Sequence, residues 1–517
     1  MSEMDGISPV GGIGAPYPNP VLPGFNPDPS VVAVDGAFYI VTSTFEYLPG
    51  LPVYRSTDFT TWEHIGNVGS RAEQLAVGDV PTGLGVWAPT IRHRDGTFYV
   101  IVTIPAGRGC VVFSTTDPAG EWSEGTVLDG LNGIDPDLAW DEDGTAYVTY
   151  SGLLLSGEEA GKHLGIQQVK VDLATGALLE EPRSIWSGSG SMFPEAPHLY
   201  RRGEHWYLMI AEGGTERGHG VSIARGTSPE GPFEPGPANP FLTARSTQRP
   251  IQNTGHGDLV EGPDGTLMIL LGVRPGGGTR AFSPLGRETF VTRVVWEDGW
   301  PVAEPVHLAA RTGIVEDITF DQPLDAGWMA VRRLPADVAS LVDDRLMLTA
   351  DGSTLDDTHP VFLGRRQLAV DSRASTTIDV GRGAGGLAVR YDEQNHYEIE
   401  ARTEGNALRI TARAVIPGLR QEWTADLPVG PVTLHLDTAR PATGFGPDMM
   451  TSDHITLSAE AGGRTAVLAR VDGRSLSAET AASFAGRVLG LFASSGAVLF
   501  SGYRFVESSP PAAKTRP

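Results

Sequence analysis

The stretch GFNPDPSVVAVDGAFYIVTST, residues 24–44, holds two strand signals joined by a tight turn. Residues 31–34 are apolar, Asp35-Gly36 suits the left-handed backbone of a two-residue turn, and residues 38–44 are mostly aromatic and β-branched. The pattern returns as DGTFYVIVTI from Asp95, DGTAYVTYSG from Asp143, GEHWYLMIAE from Gly203 and DGTLMILLGV from Asp264. The steps are 60, 48, 60 and 61 residues, a period that marks one supersecondary unit used five times. Such a repeat has room for four short strands and their connections, which is one propeller blade. The sequence therefore predicts an all-β chain with a five-bladed β-propeller over residues 19–310. Supporting strands are expected at LPVYRST, GCVVFST, GIQQVKV and GVSIAR. A β-sandwich with similar turns is the competing reading, and the even spacing speaks against it.

Counting back eight residues from each later turn reaches Trp87, Asp135, Glu195 and His256; seven back from the first reaches Asp28. These residues occupy equivalent places at the start of each blade's leading strand. If the leading strands are innermost, rotation about the propeller axis brings all five to one rim. Three are carboxylic acids. Acids gathered at a concave site repel one another and burial raises their pKa values further, so the arrangement serves chemistry or binds a cation. Hydrolysis of a glycosidic bond needs one neutral carboxylic acid and one carboxylate opposite, and a third acid can tune the donor. Trp87 offers a flat face on which a sugar can stack.

Each residue also has a plainer reading. Asp28 between two prolines can be a turn former. Asp137 lies two residues beyond Asp135 on the same strand face and competes with it. Glu212 competes with Glu195, Trp87 can be core, and His256 can be a satisfied core histidine. Five such coincidences in one register are harder to sustain than a common site.

Composition narrows the partners. The 517-residue chain carries a formal charge of −24, which disfavours nucleic acid and anionic membrane surfaces. Its one cysteine, Cys110, excludes an intramolecular disulfide. The first twenty residues lack a basic and then apolar leader pattern, and no stretch is apolar enough to span a bilayer. A soluble cytoplasmic protein with a neutral ligand is expected.

The runs NPVLPGFNPDPS, TSTFEYLPGLPVYRSTD, WAPTIRHRDGTFYV, GIDPDLAWDEDG, FPEAPHLYRRG, AEGGTERGHGVSIARG and LGRETF, spread over residues 19–301, resemble glycoside hydrolase family 43. The likeness is to its two-domain β-xylosidases and α-L-arabinofuranosidases. The resemblance implies a five-bladed propeller that hydrolyses with inversion. It implies that Asp28 is the general base, Asp135 the acid that tunes the proton donor, and Glu195 the general acid. It implies further that Arg287 contacts sugar hydroxyls and that Phe45 and Trp87 wall the sugar site. The resemblance requires no cofactor and admits a structural calcium at His256, which otherwise faces substrate. His219 lies near the site in relatives, with no role assigned. Inversion calls for base and acid roughly 6.5–9.5 Å apart.

From about residue 318 the repeat gives way to short alternating segments, among them DRLMLTA, RASTTIDV, GGLAVRY, HYEIEART, NALRITARA, VTLHLDT, HITLSAE and VLGLFASS. They predict a β-sandwich over residues 318–507, similar to the concanavalin-like domain of those enzymes. The family's sandwich lends an aromatic to the active site, which makes Phe484 of SFAGRVLG a candidate wall. Arg487 and Val488 depart from the family's loop pattern there. Residues 1–18 are expected to be an extension and 508–517 a disordered tail. A sandwich over the channel leaves a pocket, which suits removal of terminal sugars. The expected activity is an inverting exo-glycosidase acting on xylo- or arabino-oligosaccharides, with β-xylosidase favoured. The alternatives are a non-catalytic carbohydrate-binding propeller and a retaining fructan-type hydrolase. A homo-oligomer is expected by analogy alone.

Overall fold

The computed structural model describes residues 17–508, apart from 310–311, 382, 443–446 and 482. Five four- or five-stranded antiparallel sheets follow one another along the chain, with leading strands Ser30–Val34, Pro89–Arg94, Gly133–Trp140, Glu195–Arg202 and Gln252–Gly262. In each sheet the leading strand is the inner edge, and the next strands step outward in sequence order. Leading strands of neighbouring sheets pack on one another around the axis. The five-bladed propeller is therefore present, and the four supporting strands fall at Gly50–Ser56, Gly109–Thr115, His163–Asp172 and Gly220–Gly226.

The turns explain the repeat. Asp35-Gly36 and Asp95-Gly96 have positive φ at both residues (49° and 77°, 50° and 79°), the backbone that matches strand twist in a two-residue hairpin. In the third blade the turn is wider, since Asp141 N–H donates to the Thr145 carbonyl at 3.0 Å. Apolar strand faces then meet between blades. One cluster, with Val53 and Phe113, joins blades one and two; Val112 and Val148 join two and three; Ile166 and Leu208 join three and four. Met209 and Leu270 join four and five, and Phe38 and Ile269 close five back onto one. Cys110 is buried in the second of these interfaces.

Closure is reinforced by the N-terminal segment. Asn19 donates to the Val291 carbonyl and accepts from its N–H, both at 2.9 Å, while Leu22 bridges Thr289. Tyr17 packs on Phe59 with ring centres 5.9 Å apart, so the propeller begins by Tyr17 rather than after residue 18. The remainder of the expected extension, residues 1–16, and residues 509–517 of the expected tail lie outside the described residues.

The C-terminal domain is two eight-stranded antiparallel sheets enclosing one apolar core, a sandwich as expected. Its first strand, Val315–Ile318, pairs with Ala497–Glu507, so the sandwich starts slightly before residue 318. One of the eight strands in one of these sheets comes from the propeller: Tyr47–Leu48 pairs with Met329–Val331. Around that junction lies a shared apolar cluster of Phe25, Phe45, Tyr47, Phe362, Val488 and Phe492, with Trp87 packed against it. The two predicted sugar-site walls, Phe45 and Trp87, thus belong to the packing that joins the domains.

Candidate active site

A cavity of about 250 Å³ opens at the end of the propeller where the leading strands begin. Asp28, Trp87, Asp135, Glu195 and His256 all line it, as the register predicted, together with Phe45, Arg287 and Phe484. Local backbone turns these side chains inward. Asp28, Asp135 and His256 have left-handed φ values of 55°, 52° and 47°, and Ala196, next to Glu195, has 48°. In blades three, four and five the strand pairing also skips a register at Asp135, Glu195 and His256. Such bulges re-aim side chains at the ends of sheets, at a cost in local strain.

Asp28 is buried, with 4% of its surface exposed. Arg287 Nη1 donates to its Oδ1 at 2.8 Å and Nη2 to its Oδ2 at 3.3 Å, while Ser43 Oγ donates to Oδ2 at 2.7 Å. Arg287 Nη1 also reaches Thr215 Oγ1 at 3.2 Å. Asp135 accepts one backbone N–H, from Ala196 at 3.2 Å. Burial raises its pKa, Asp28 adds to the rise, and the Ala196 N–H and Arg287 oppose it. Glu195 is raised well above the ordinary carboxyl range by burial and then by Asp135 and Asp28. Burial and two acidic neighbours thus favour the protonated form of Glu195, while the Ala196 N–H favours the charged form of Asp135.

The rival acids do other work. Asp137 is fully buried one layer deeper, 2.6 Å from Arg92 Nη2, and accepts the Leu199 N–H at 2.8 Å. Arg92 Nη1 also pairs with Asp258 at 2.9 Å, and Ser30 Oγ donates to that carboxylate at 2.6 Å. Burial opposes the charge on Asp258, yet Arg92 and His198 hold its carboxyl well below the usual range. Ser30, Asp137 and Asp258 each lie two residues beyond a ring position, so this ion-paired layer plugs the channel beneath the cavity. Glu212 is buried and accepts the Ser189 N–H at 2.7 Å, anchoring the loop before Phe193.

His219 and His256 are neutral near pH 7. Burial pushes His219 down to about 4 and His256 down to about 3. Neutral His219 donates Nδ1–H to the Asn253 carbonyl at 2.9 Å and so steadies the strand that carries His256. Gly255 permits this approach: a Cβ there would lie 2.4 Å from the His219 ring. His256 Nδ1 is 3.7 Å from Asp28 Oδ1. Calcium prefers six to eight oxygen ligands. Around His256 the protein offers one carboxylate, already engaged by Arg287 and Ser43. No group of three or more His, Cys, Asp or Glu side chains among the described residues is placed to hold a metal. These residues do not fit a protein-built calcium cage.

Phe484 reaches the cavity from the sandwich, with its ring centre 6.2 Å from that of Phe45 and 6.3 Å from that of Trp87. The Arg287 guanidinium lies 5.4 Å from the centre of the Phe484 ring. The departure at Arg487 has a local cause. Arg487 is fully buried and bidentate to Asp453 at 2.6 and 2.8 Å, which pins the loop's far end. Sequence reasoning missed Phe193, His163, Thr215 and Glu216 at the rim. Phe193 was within reach, two residues before Glu195 with its ring 5.1 Å from that of His163; His163 stands outside the repeat register and carried no signal.

A propeller that aims three carboxyl groups and a guanidinium into a cavity walled by aromatic rings defines a carbohydrate-hydrolase type of site. The chain belongs to glycosyl hydrolases family 43, whose model matches residues 17–301. Residues 317–499 match the β-xylosidase C-terminal concanavalin A-like domain. A Bacteroides ovatus protein named as a non-reducing end α-L-arabinofuranosidase is 38% identical, covering 92% of this chain and 91% of its own. A xylosidase/arabinosidase of Butyrivibrio fibrisolvens is 32% identical, covering 92% and 95%. The crystal structure of a xylan β-1,4-xylosidase from Bacillus halodurans superposes with a TM-score of 0.83 at 26% identity, covering 95% of this chain and all of that one.

Proposed function

We propose that this protein is an inverting exo-glycosidase that releases terminal β-D-xylosyl and α-L-arabinofuranosyl residues from short oligosaccharides. One observation carries the reading: Glu195, raised by burial and its acidic neighbours, shares a cavity with Asp28, which is paired with Arg287. Glu195 gives its proton to the glycosidic oxygen as the bond to the anomeric carbon breaks. A water attacks that carbon from the opposite face and Asp28 takes its proton, leaving a free sugar of inverted configuration. Arg287 and Ser43 together use three of the roughly four acceptor sites of Asp28, which leaves one, on Oδ1, for that water. Asp135 keeps Glu195 protonated through its nearby charge. Arg287 and His256 meet sugar hydroxyls, and Phe45, Trp87 and Phe484 supply apolar faces.

The small cavity with a wall lent by the second domain favours a terminal sugar over an internal one. The two relatives above carry names for arabinofuranosidase and for both activities, which supports action on both sugars. Assays with 4-nitrophenyl β-D-xyloside and 4-nitrophenyl α-L-arabinofuranoside test this. Turnover of both is expected; binding of xylobiose without turnover of either glycoside or of xylobiose would favour the non-catalytic reading.

A further inference from the structure

All three aromatic walls trace back to one buried carboxylate outside the reaction. Glu46 is 0% exposed and follows Phe45 directly. Its Oε2 accepts the Gly83 N–H at 3.2 Å, and the Gly83 carbonyl accepts Trp87 Nε1–H at 2.8 Å. Its Oε1 accepts from Ser483 Oγ at 3.3 Å, and Ser483 precedes Phe484. Phe45 and Val86 exchange backbone hydrogen bonds at 2.9 Å in each direction, so the segments bearing Phe45 and Trp87 run side by side.

The sandwich holds this node from the other side. Arg332 N–H donates to the Glu46 carbonyl at 2.7 Å. The Arg332 side chain bonds the Val80 carbonyl at 3.0 Å, Thr82 Oγ1 at 2.9 Å and the Thr358 carbonyl at 2.7 Å. Burial raises the Glu46 pKa, and the Arg332 and Arg390 guanidiniums oppose that rise. A buried carboxylate that takes hydrogen bonds from two domains fixes both in one geometry, because leaving either donor unmatched is costly.

We propose that Glu46 is a positioning residue that sets the spacing of Phe45, Trp87 and Phe484 around the bound sugar, and that Ser483 is its link to the sandwich. The inference rests on the functional reading above. Apolar walls touch the sugar in the ground state and the transition state alike, so misplacing them raises KM and leaves kcat nearly unchanged.

The test uses the full chain as wild type, Ser483→Ala, Phe484→Ala, the double variant and Glu46→Gln, which leaves one acceptor for two donors. KM and kcat for 4-nitrophenyl β-D-xyloside, inhibition by D-xylose and the melting temperature are measured for each. Ser483→Ala should raise KM and the xylose inhibition constant together by about three- to tenfold, with kcat within about twofold. Adding it to Phe484→Ala should change nothing further, since it acts through that ring. Glu46→Gln should raise KM at least as much as Ser483→Ala. A lowered melting temperature with unchanged KM, or additive effects in the double variant, would overturn the inference. A wild type that neither cleaves the nitrophenyl glycosides nor binds xylose would instead overturn the functional reading, and the inference with it.

Discussion

Arg287 grips Asp28 with both terminal nitrogens, at 2.8 and 3.3 Å, across 259 residues of sequence. The pair joins the last blade to the first at the floor of the cavity, so ring closure and site assembly are one event. Lysine at this position would keep the charge and lose the planar two-pronged grip. Arg287→Lys should lower kcat/KM on the order of 10- to 100-fold, and steady-state kinetics on the xyloside checks it. Wild-type kinetics would show that the grip is incidental.

Glu195→Ala should lose most activity on xylobiose and far less on nitrophenyl glycosides, whose leaving groups need little protonation. Equal losses on both would mean that another group donates the proton.

The raised pKa of Glu195 also carries a stability sign. In the folded state the group ionises later than in the unfolded chain, so stability from this residue is full below the ordinary glutamate pKa of 4.5 and falls as pH rises toward the folded value. Glu195→Gln removes that loss. Its melting temperature should exceed the wild type's at pH 8, with the gap shrinking toward pH 4. A gap independent of pH would contradict the burial argument.

Asp135 and Asp137 should separate cleanly. Asp135 is one cause of the raised Glu195 pKa, so Asp135→Asn should move the alkaline limb of kcat/KM to lower pH. Asp137→Asn should leave that limb in place and cost about 3 kcal/mol of stability, because Arg92 loses a buried partner. pH profiles with denaturant titrations on both variants decide it; a shifted limb in the Asp137 variant would assign the tuning role to the wrong acid.

Gly286 and Gly486 meet at the domain boundary, where a Cβ on Gly286 would lie 2.8 Å from the Gly486 Cα and one on Gly486 only 2.4 Å from the Leu285 carbonyl oxygen. Gly486→Ala should destabilise the chain by about 1–3 kcal/mol through overpacking and raise KM by displacing Phe484. Thermal melts and xyloside kinetics test both effects; unchanged values in both would contradict the close packing.

The ring of Asp28, Asp135, Glu195 and His256 was legible because rotational repetition turns register along the chain into convergence in space. Turn chemistry at Asp35-Gly36 and Asp95-Gly96 marked that register locally. What was illegible depends on partners far away in sequence. In sequence only the repeat register sets Asp135 above Asp137, and it is the distant Arg92 and Leu199 that give Asp137 its separate, structural role. Arg487 looked like a departure until Asp453 was found against it. Tyr47–Leu48 reads as part of a propeller blade, and only the fold shows it completing a sheet of the sandwich. Glu46 gave no sign at all, since an acid beside a phenylalanine is ordinary until it is buried between domains.

The most direct test of the account is the anomer first released from a β-D-xyloside, followed by proton NMR before mutarotation sets in. With Glu195 protonating the leaving oxygen and Asp28 directing water to the opposite face, the α-anomer must appear first. Initial appearance of the β-anomer would contradict that division of labour.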